Sequence, residues 1–268
     1  MSASTSQKVL PFKTVQGQNY GFPENAEHTG TMVKPGELVE LIEVTPLNLT
    51  DLRIYNQLLA NAWHDISERH IHKIPKALLR GNHKGNERIE DSINRLMGAI
   101  ATVKISKDGE PAEMRVQLLG ANVKQDRDEG YFYYTYPAEL IAIINESTVF
   151  ARLKSHTMYA LRSKYAFRLY ELIQKRVNLT YKQIDEFTVE EFRQLLGVPE
   201  GKLARFSNLN TFAIKPALEE VNRLSDHIVA VDQIREGRKV RKLRMVWLPK
   251  SRKERFRISV ERELHGQK

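Results

Sequence analysis

The chain has 268 residues, no cysteine and a formal charge of +9. This length can hold two domains with cores of their own, the absence of cysteine excludes a disulfide framework and thiolate metal sites, and the excess of positive charge suits a polyanion such as nucleic acid. No apolar run is long enough to span a bilayer and the first residues lack an apolar signal core, so the expected location is the cytoplasm.

Residues 1–36 are rich in Ser, Thr, Gln and Gly and read as a flexible arm. Residues 38–44 form a short apolar run of strand or docking type. Asn48 or Thr50 caps a first helix whose apolar face comprises Leu49, Leu52, Ile54, Tyr55, Leu58, Leu59 and Ala62, ending near Trp63. After an extended piece at 71–74, Pro75 suits the first position of a short helix through Leu79. The loop 81–85 then leads to a helix with Ile89, Ile93, Leu96, Met97 and Ile100 inward and Lys84, Arg88 and Arg95 on its outer side. A hairpin follows, 101–105 and 114–119 around a turn at 107–110, then a strand at 131–136 and a small helix at 137–144. Polar residues interrupt the apolar pattern at 145–155, which places a joint between two modules near residue 150.

The second half repeats this order of elements. A long helix carries Tyr159, Leu161, Ala166, Leu169, Tyr170, Leu172 and Ile173 and ends near Val177. Thr188 and Glu191 have capping-box spacing ahead of Val189, Phe192, Leu195 and Leu196, and Gly197 and Pro199 stop that helix. From Leu209, the residues Phe212, Ala213, Ala217, Val221 and Leu224 make one apolar stripe, with Asn208, Thr211, Lys215 and Asn222 facing the other way; Pro216 should kink this single helix. Strand-like residues 228–234 and 243–247 flank a turn at Glu236 and Gly237, and the hairpin carries Arg235, Arg238, Lys239, Arg241 and Lys242. Helix, turn, helix and basic hairpin is the order of a winged-helix DNA reader. The chain is therefore expected to be α+β, two tandem winged-helix domains at 37–150 and 151–258, mainly helical with short antiparallel hairpins, followed by a tail at 259–268.

The run Leu161-Arg162-Ser163-Lys164-Tyr165-Ala166-Phe167-Arg168-Leu169-Tyr170-Glu171-Leu172-Ile173 resembles the signature of the plasmid replication initiator (Rep) family, the iteron-binding proteins with two winged helices. Lys215-Pro216-Ala217-Leu218-Glu219-Glu220-Val221-Asn222 resembles that family's recognition-helix segment, and the likeness covers most of residues 37–250. It implies binding to short direct repeats at an origin, opening of nearby duplex with the host initiator, recruitment of the host replicative helicase, and repression of the protein's own promoter as a dimer in equilibrium with monomer. It also implies that Asn208, Thr211 and Lys215 are recognition positions, with Arg205 entering just before them.

Charge and position add to this set. Lys202, Arg205, Asn208, Asn210, Thr211 and Lys215 are expected at the groove, Arg235, Arg238, Lys239, Arg241 and Lys242 on phosphates, and Lys84, Arg88 and Arg95 as the first module's equivalents. Two other functions compete with origin binding. One is a plain transcriptional repressor with the same DNA grip. The other is a nickase, because His70-Ile71-His72 matches the paired imidazoles that hold a divalent ion beside an attacking tyrosine, for which Tyr131, Tyr133, Tyr134 and Tyr136 are available. The pair lacks a clear third ligand on an upstream strand, and the loop 81–85 lacks the Gly-Lys-Ser/Thr ending of a phosphate-binding loop. No catalytic residue, metal or cofactor is therefore expected, and the acid pairs Glu190-Glu191 and Glu219-Glu220 read as solvated.

Overall fold

A computed structural model describes residues 12–13, 19–20, 30–80, 87–107, 109–123, 130–177 and 183–258. A short pairing of β1 (Phe12–Lys13) with β2 (Asn19–Tyr20) precedes the body of the protein. The first half runs β3 (Thr31–Pro35), α1 (Gly36–Val39), β4 (Ile42–Glu43), α2 (Leu49–Ala62), β5 (His72–Pro75), α3 (Lys76–Arg80), α4 (Glu87–Gly98), β6 (Ile100–Lys107), β7 (Glu110–Gln117), β8 (Asn122–Val123), β9 (Tyr131–Tyr134) and α5 (Ala138–Glu146). Then come β10 (Phe150–Lys154), α6 (Ser155–Ala160), α7 (Lys164–Arg176), β11 (Ile184–Thr188), α8 (Val189–Leu195), α9 (Phe206–Leu209), a π-helical turn at Asn210–Ile214, α10 (Lys215–Leu224), β12 (His227–Glu236) and β13 (Lys239–Pro249). The hairpin β6–β7 carries β4 on its edge, and β12–β13 carries β11 on the other side of β13. No helix among the described residues is long and apolar enough to cross a membrane.

Local signals explain most of these elements. Asn48 caps α2 by accepting from the Asp51 N–H at 3.0 Å, while the Asp51 carboxylate accepts from the Asn48 N–H at 2.9 Å. Thr188 and Glu191 do the same for α8, and these hydrogen bonds from Thr188 hold the Glu191 carboxyl below its ordinary range.

The structure departs from the expected arm and joint. Residues 31–35, placed in a flexible arm on composition, form β3, in which Met32, Val33 and Lys34 are buried. Its partner is β10, from Phe150↔Pro35 to Lys154↔Thr31, in the segment read as a joint. Ala151 and Leu153 are fully buried there. Polar interruptions suggested a linker, but alternate residues of a strand still bury one apolar face. The long helix expected to begin near Tyr159 is divided into α6 and α7, because Ser163 caps α7 through the Tyr165 N–H and the N–H groups of Arg162 and Ser163 donate to Glu220 of α10 at 2.6 and 3.2 Å. Glu220 thus has a specific partner and is not merely solvated.

Helix α7 is the spine that both halves share. Glu171 on it is fully buried and accepts from Lys34 Nζ of β3 at 2.7 Å, from Asn56 Nδ2 of α2 at 2.7 Å and from Arg168 at 3.4 Å. Arg168 reaches in two further directions, donating to the carbonyls of Leu41 at 2.6 Å and Leu195 at 3.2 Å. Gly197, after α8, has φ 66° and lies against β4, where a Cβ would collide with the Glu43 carboxylate. At the other end of α7, Arg176 pairs with Glu40 and with Asp185 of β11, both at 2.8 Å.

Burial pushes the Lys34 ammonium below the usual lysine range, and Glu171 is the principal group opposing that push. Removing one member of such a cluster strands the remaining charges away from water. Glu171→Ala should therefore lower the unfolding free energy by about 3–5 kcal/mol, measured by urea denaturation at neutral pH. A loss below about 1 kcal/mol would show that Lys34 and Arg168 do not depend on it. Glu40 provides a pH signature. Burial would raise its pKa, but Lys175 and Arg176 outweigh burial and hold the carboxyl below the ordinary range. Its stabilisation is present above the unfolded-state pKa and is lost as pH falls through the folded-state value. Glu40→Gln should then destabilise the protein at neutral pH and make progressively less difference as pH falls below the ordinary glutamate range, as thermal unfolding across acid pH would show.

Candidate nucleic-acid interface

The second half presents a helix and a basic hairpin side by side. From Phe206 to Leu224 the chain is helical throughout, but the interval Asn210–Ile214 is a π turn in which the Lys215 N–H donates to the Asn210 carbonyl. Pro216 explains it. A proline cannot donate to the carbonyl four residues back and its ring crowds that carbonyl, so the helix widens by one residue instead of breaking.

The wider turn also re-phases the helix. Bonds spanning five residues set Ile214 rather than Phe212 over Leu209, so Leu209, Ala213, Ile214, Ala217, Val221 and Leu224 are buried. Phe212, expected in the inward stripe, is 62 % exposed. It shares the outer face with Asn208, Thr211 and Lys215, which are all exposed as expected. Asn210 is half-buried beside this face. Asn222, also expected outward, turns instead to the start of β12, donating to the Val229 carbonyl at 2.8 Å and accepting its N–H at 2.7 Å. Lys250, buried behind it, donates to the Asn222 and Ser225 carbonyls at the C-terminal end of α10, where a cation suits the helix dipole.

The turn leading into this helix is held from inside. Arg193 of α8 donates to the carbonyls of Lys202, Leu203 and Ala204, with 2.7 Å to Leu203, whose φ is 50°. Lys202 and Arg205 project from this clamped turn and are exposed.

On the hairpin, Leu243, Met245 and Trp247 of β13 are buried while Lys242 and Arg244 point out. Strand β11 sets Glu186 opposite them, 2.9 Å from Arg244 and 3.7 Å from Lys242. Arg241 pairs with Glu236 at 2.8 Å. These pairs are exposed, and pairs of that kind contribute little, about 0–1 kcal/mol, so a phosphate can take the cation over at small cost. Arg235 donates to the Gln233 side chain. Arg238 and Lys239 at the hairpin tip are exposed and have no acidic partner among the described residues.

The first half offers less. Arg95, expected on the outer face, is committed to the buried Asp51, with both its Nε and its terminal nitrogen within 2.9–3.1 Å of the carboxylate, which raises its already high pKa. Glu90 and Asp91 are exposed on the same helix. Lys84 and the side chain of Arg88 lie outside the described residues.

Two family models match the chain. One, described as initiator replication protein, WH1, covers residues 32–174; the other, initiator Rep protein, WH2, covers residues 188–247. No curated protein shows significant similarity to the chain. The first match ends within α7, so the two models divide the chain between 174 and 188 rather than near 150 and include β3 in the first domain. The re-phased helix, its clamped turn and the β12–β13 hairpin as far as Trp247 lie within the second match, while β11 lies almost wholly before it. With more than half its length in the first match and a further stretch from 188 to 247 in the second, the chain belongs to the plasmid replication initiator family of two winged-helix domains.

Proposed function

We propose that the protein binds short direct repeats at its plasmid's origin, with the helix from Phe206 to Leu224 in a major groove and the β12–β13 wing on the flanking phosphates. The observation that carries this reading is the exposed row of Asn208, Thr211, Phe212 and Lys215 on a helix whose opposite face is buried and whose C-terminal end is hydrogen-bonded to β12, the first strand of a hairpin whose tip carries two cations with no acidic partner among the described residues. Lys215 and Arg205 approach base edges, Asn208 and Thr211 read bases or hold phosphates, and Phe212 offers an apolar contact of the kind that thymine methyl groups accept. Lys202 and the wing cations Arg235, Arg238, Lys239, Arg241 and Lys242 supply the sequence-independent grip. Asn210 contributes from the flank. The first domain adds Lys84 and Arg88 on the strength of their charge and sequence position, so one chain covers about two helical turns of a directly repeated site. Arg95 is not counted, because its ion pair with Asp51 joins α2 to α4. Bound in this way, the protein assists duplex opening with the host initiator, recruits the replicative helicase, and represses its own promoter as a dimer.

Footprinting of the full chain on origin DNA, followed by probing of unpaired bases in the presence of the host initiator, tests the reading. Protection of repeats with local opening supports it, and protection without opening leaves only a repressor. On the protected site, Lys215→Ala should cost about 1–3 kcal/mol relative to random duplex. Equal loss on both DNAs would reassign it to a phosphate. Phe212→Ala should weaken binding to thymine-containing repeats but not to repeats in which uracil replaces thymine, and equal losses on both would remove it from the base-reading set. Arg238→Ala and Lys239→Ala should each reduce the slope of log affinity against log salt by about 1. Arg193→Ala should weaken specific binding by loosening the turn beneath Lys202 and Arg205, and destabilise the fold by about 1–3 kcal/mol in urea denaturation.

A further inference from the structure

The DNA-binding face leaves one sequence motif unused, His70-Ile71-His72. Folding brings it the third ligand that its immediate neighbours do not supply. Asp65, in the turn after α2, directs its carboxylate to both imidazoles, 2.8 Å from His70 Nε2 and 3.3 Å from His72 Nδ1. Ligand atoms of all three side chains lie within 4.8 Å of one another. A tetrahedral ion with bonds of about 2.0–2.1 Å separates its ligand atoms by roughly 3.3 Å, so the three donors already stand near the edges of such a site.

A second observation concerns His72 itself. It is 4 % exposed, and its Nε2 has no hydrogen-bond partner. The nitrogen that faces the half-exposed Asp65 carboxylate is the other one, Nδ1, and burial holds it aimed at that cluster. Its ring is held by Tyr134 and Tyr136, with centroids 5.3 and 5.8 Å away, and the His70 ring lies against it, tilted by 54°, at 4.2 Å. The backbone on both sides is also fixed. In the turn, the Asp65 N–H donates to Ala62 and the Glu68 N–H to Asp65, while Ile66 is fully buried; on the strand, His72 pairs with Tyr134.

We propose that Asp65, His70 and His72 form a site for a zinc-like divalent cation that clamps the turn after α2 to strand β5. Two imidazoles and one carboxylate suit zinc and its transition-metal neighbours rather than magnesium or calcium, which prefer oxygen ligands. Asp65 and His70 are partly exposed, which leaves room for water to complete the coordination. The surroundings fit a structural ion and not a nicking centre. Tyr134 donates its hydroxyl to the Leu58 carbonyl, Tyr136 is buried, and Tyr131 and Tyr133 sit over Lys73 on the opposite side of β9.

The site is independent of the DNA reading and is tested with the full chain, stripped by chelator and titrated with Co2+ as a visible probe. Saturable absorbance at one ion per chain, displaced by Zn2+, together with a higher thermal midpoint in Zn2+, is expected. Both effects should disappear in Asp65→Asn and in His70→Gln, exposed changes whose folding is checked by circular dichroism and by unchanged DNA binding. Variants that bind Co2+ as the parent does would place the ion on other histidines and overturn the assignment, as would the absence of saturable binding by the parent.

Discussion

Glu171 is the constraint around which the structure is arranged. A carboxylate without solvent contact survives only if cations and donors surround it, and here they come from three parts of the chain: Lys34 from β3, Asn56 from α2, and Arg168 one turn away, whose guanidinium also donates to the carbonyls of Leu41 and Leu195. Such a cluster is a modest source of net stability but a strict one of geometry. It fixes β3 and α2 relative to α7, and the Arg168 bond to Leu195 carries that registration to the end of α8. The second domain is therefore seated on the helix that completes the first.

The residues by which the family resemblance is recognised fall largely in this framework. Arg168 and Glu171 belong to the buried cluster, Ser163 caps α7, Glu220 receives the N–H groups ahead of it, Pro216 sets the π turn, Ala217 is fully buried, and Asn222 pins the start of β12. Such a signature identifies how the reading helix is mounted. What that helix would read depends on the exposed row between Asn208 and Lys215, which the framework holds outward and leaves chemically unconstrained.

The wing follows a related economy. Its cations are kept in place by surface carboxylates, Glu186 and Glu236, at distances that order the side chains without binding them strongly. Arg235 donates to the Gln233 amide instead, and the tip residues Arg238 and Lys239 have no acidic partner among the described residues, which grades the hairpin from a paired base to an open end. A polyanion approaching the tip would meet uncompensated charge first and exchange partners with the inner pairs afterwards.

Much of this was legible in the amino-acid sequence. The cap at Asn48 or Thr50, the capping box at Thr188, the apolar faces of α2 and α4, the two hairpins, and the order of elements in each half depend on spacing within a few residues, and local spacing is what a sequence displays directly. The basic hairpin and the outward positions of Asn208, Thr211 and Lys215 were legible for the same reason. Other features depend on contacts between residues far apart in the chain. That 31–35 is a buried strand was hidden because its partner lies at 150–154, and Arg95 looked like a surface cation because Asp51 is 44 positions away. Phe212 was assigned to the wrong face because a stripe read at 3.6 residues per turn does not hold across the wider turn that Pro216 imposes. The sequence by itself determined most of the helices, their caps and the two hairpins, since those follow from near neighbours. Only the tertiary structure decided which charges are buried, paired or left for a ligand, because burial and pairing are set by what the rest of the chain brings alongside.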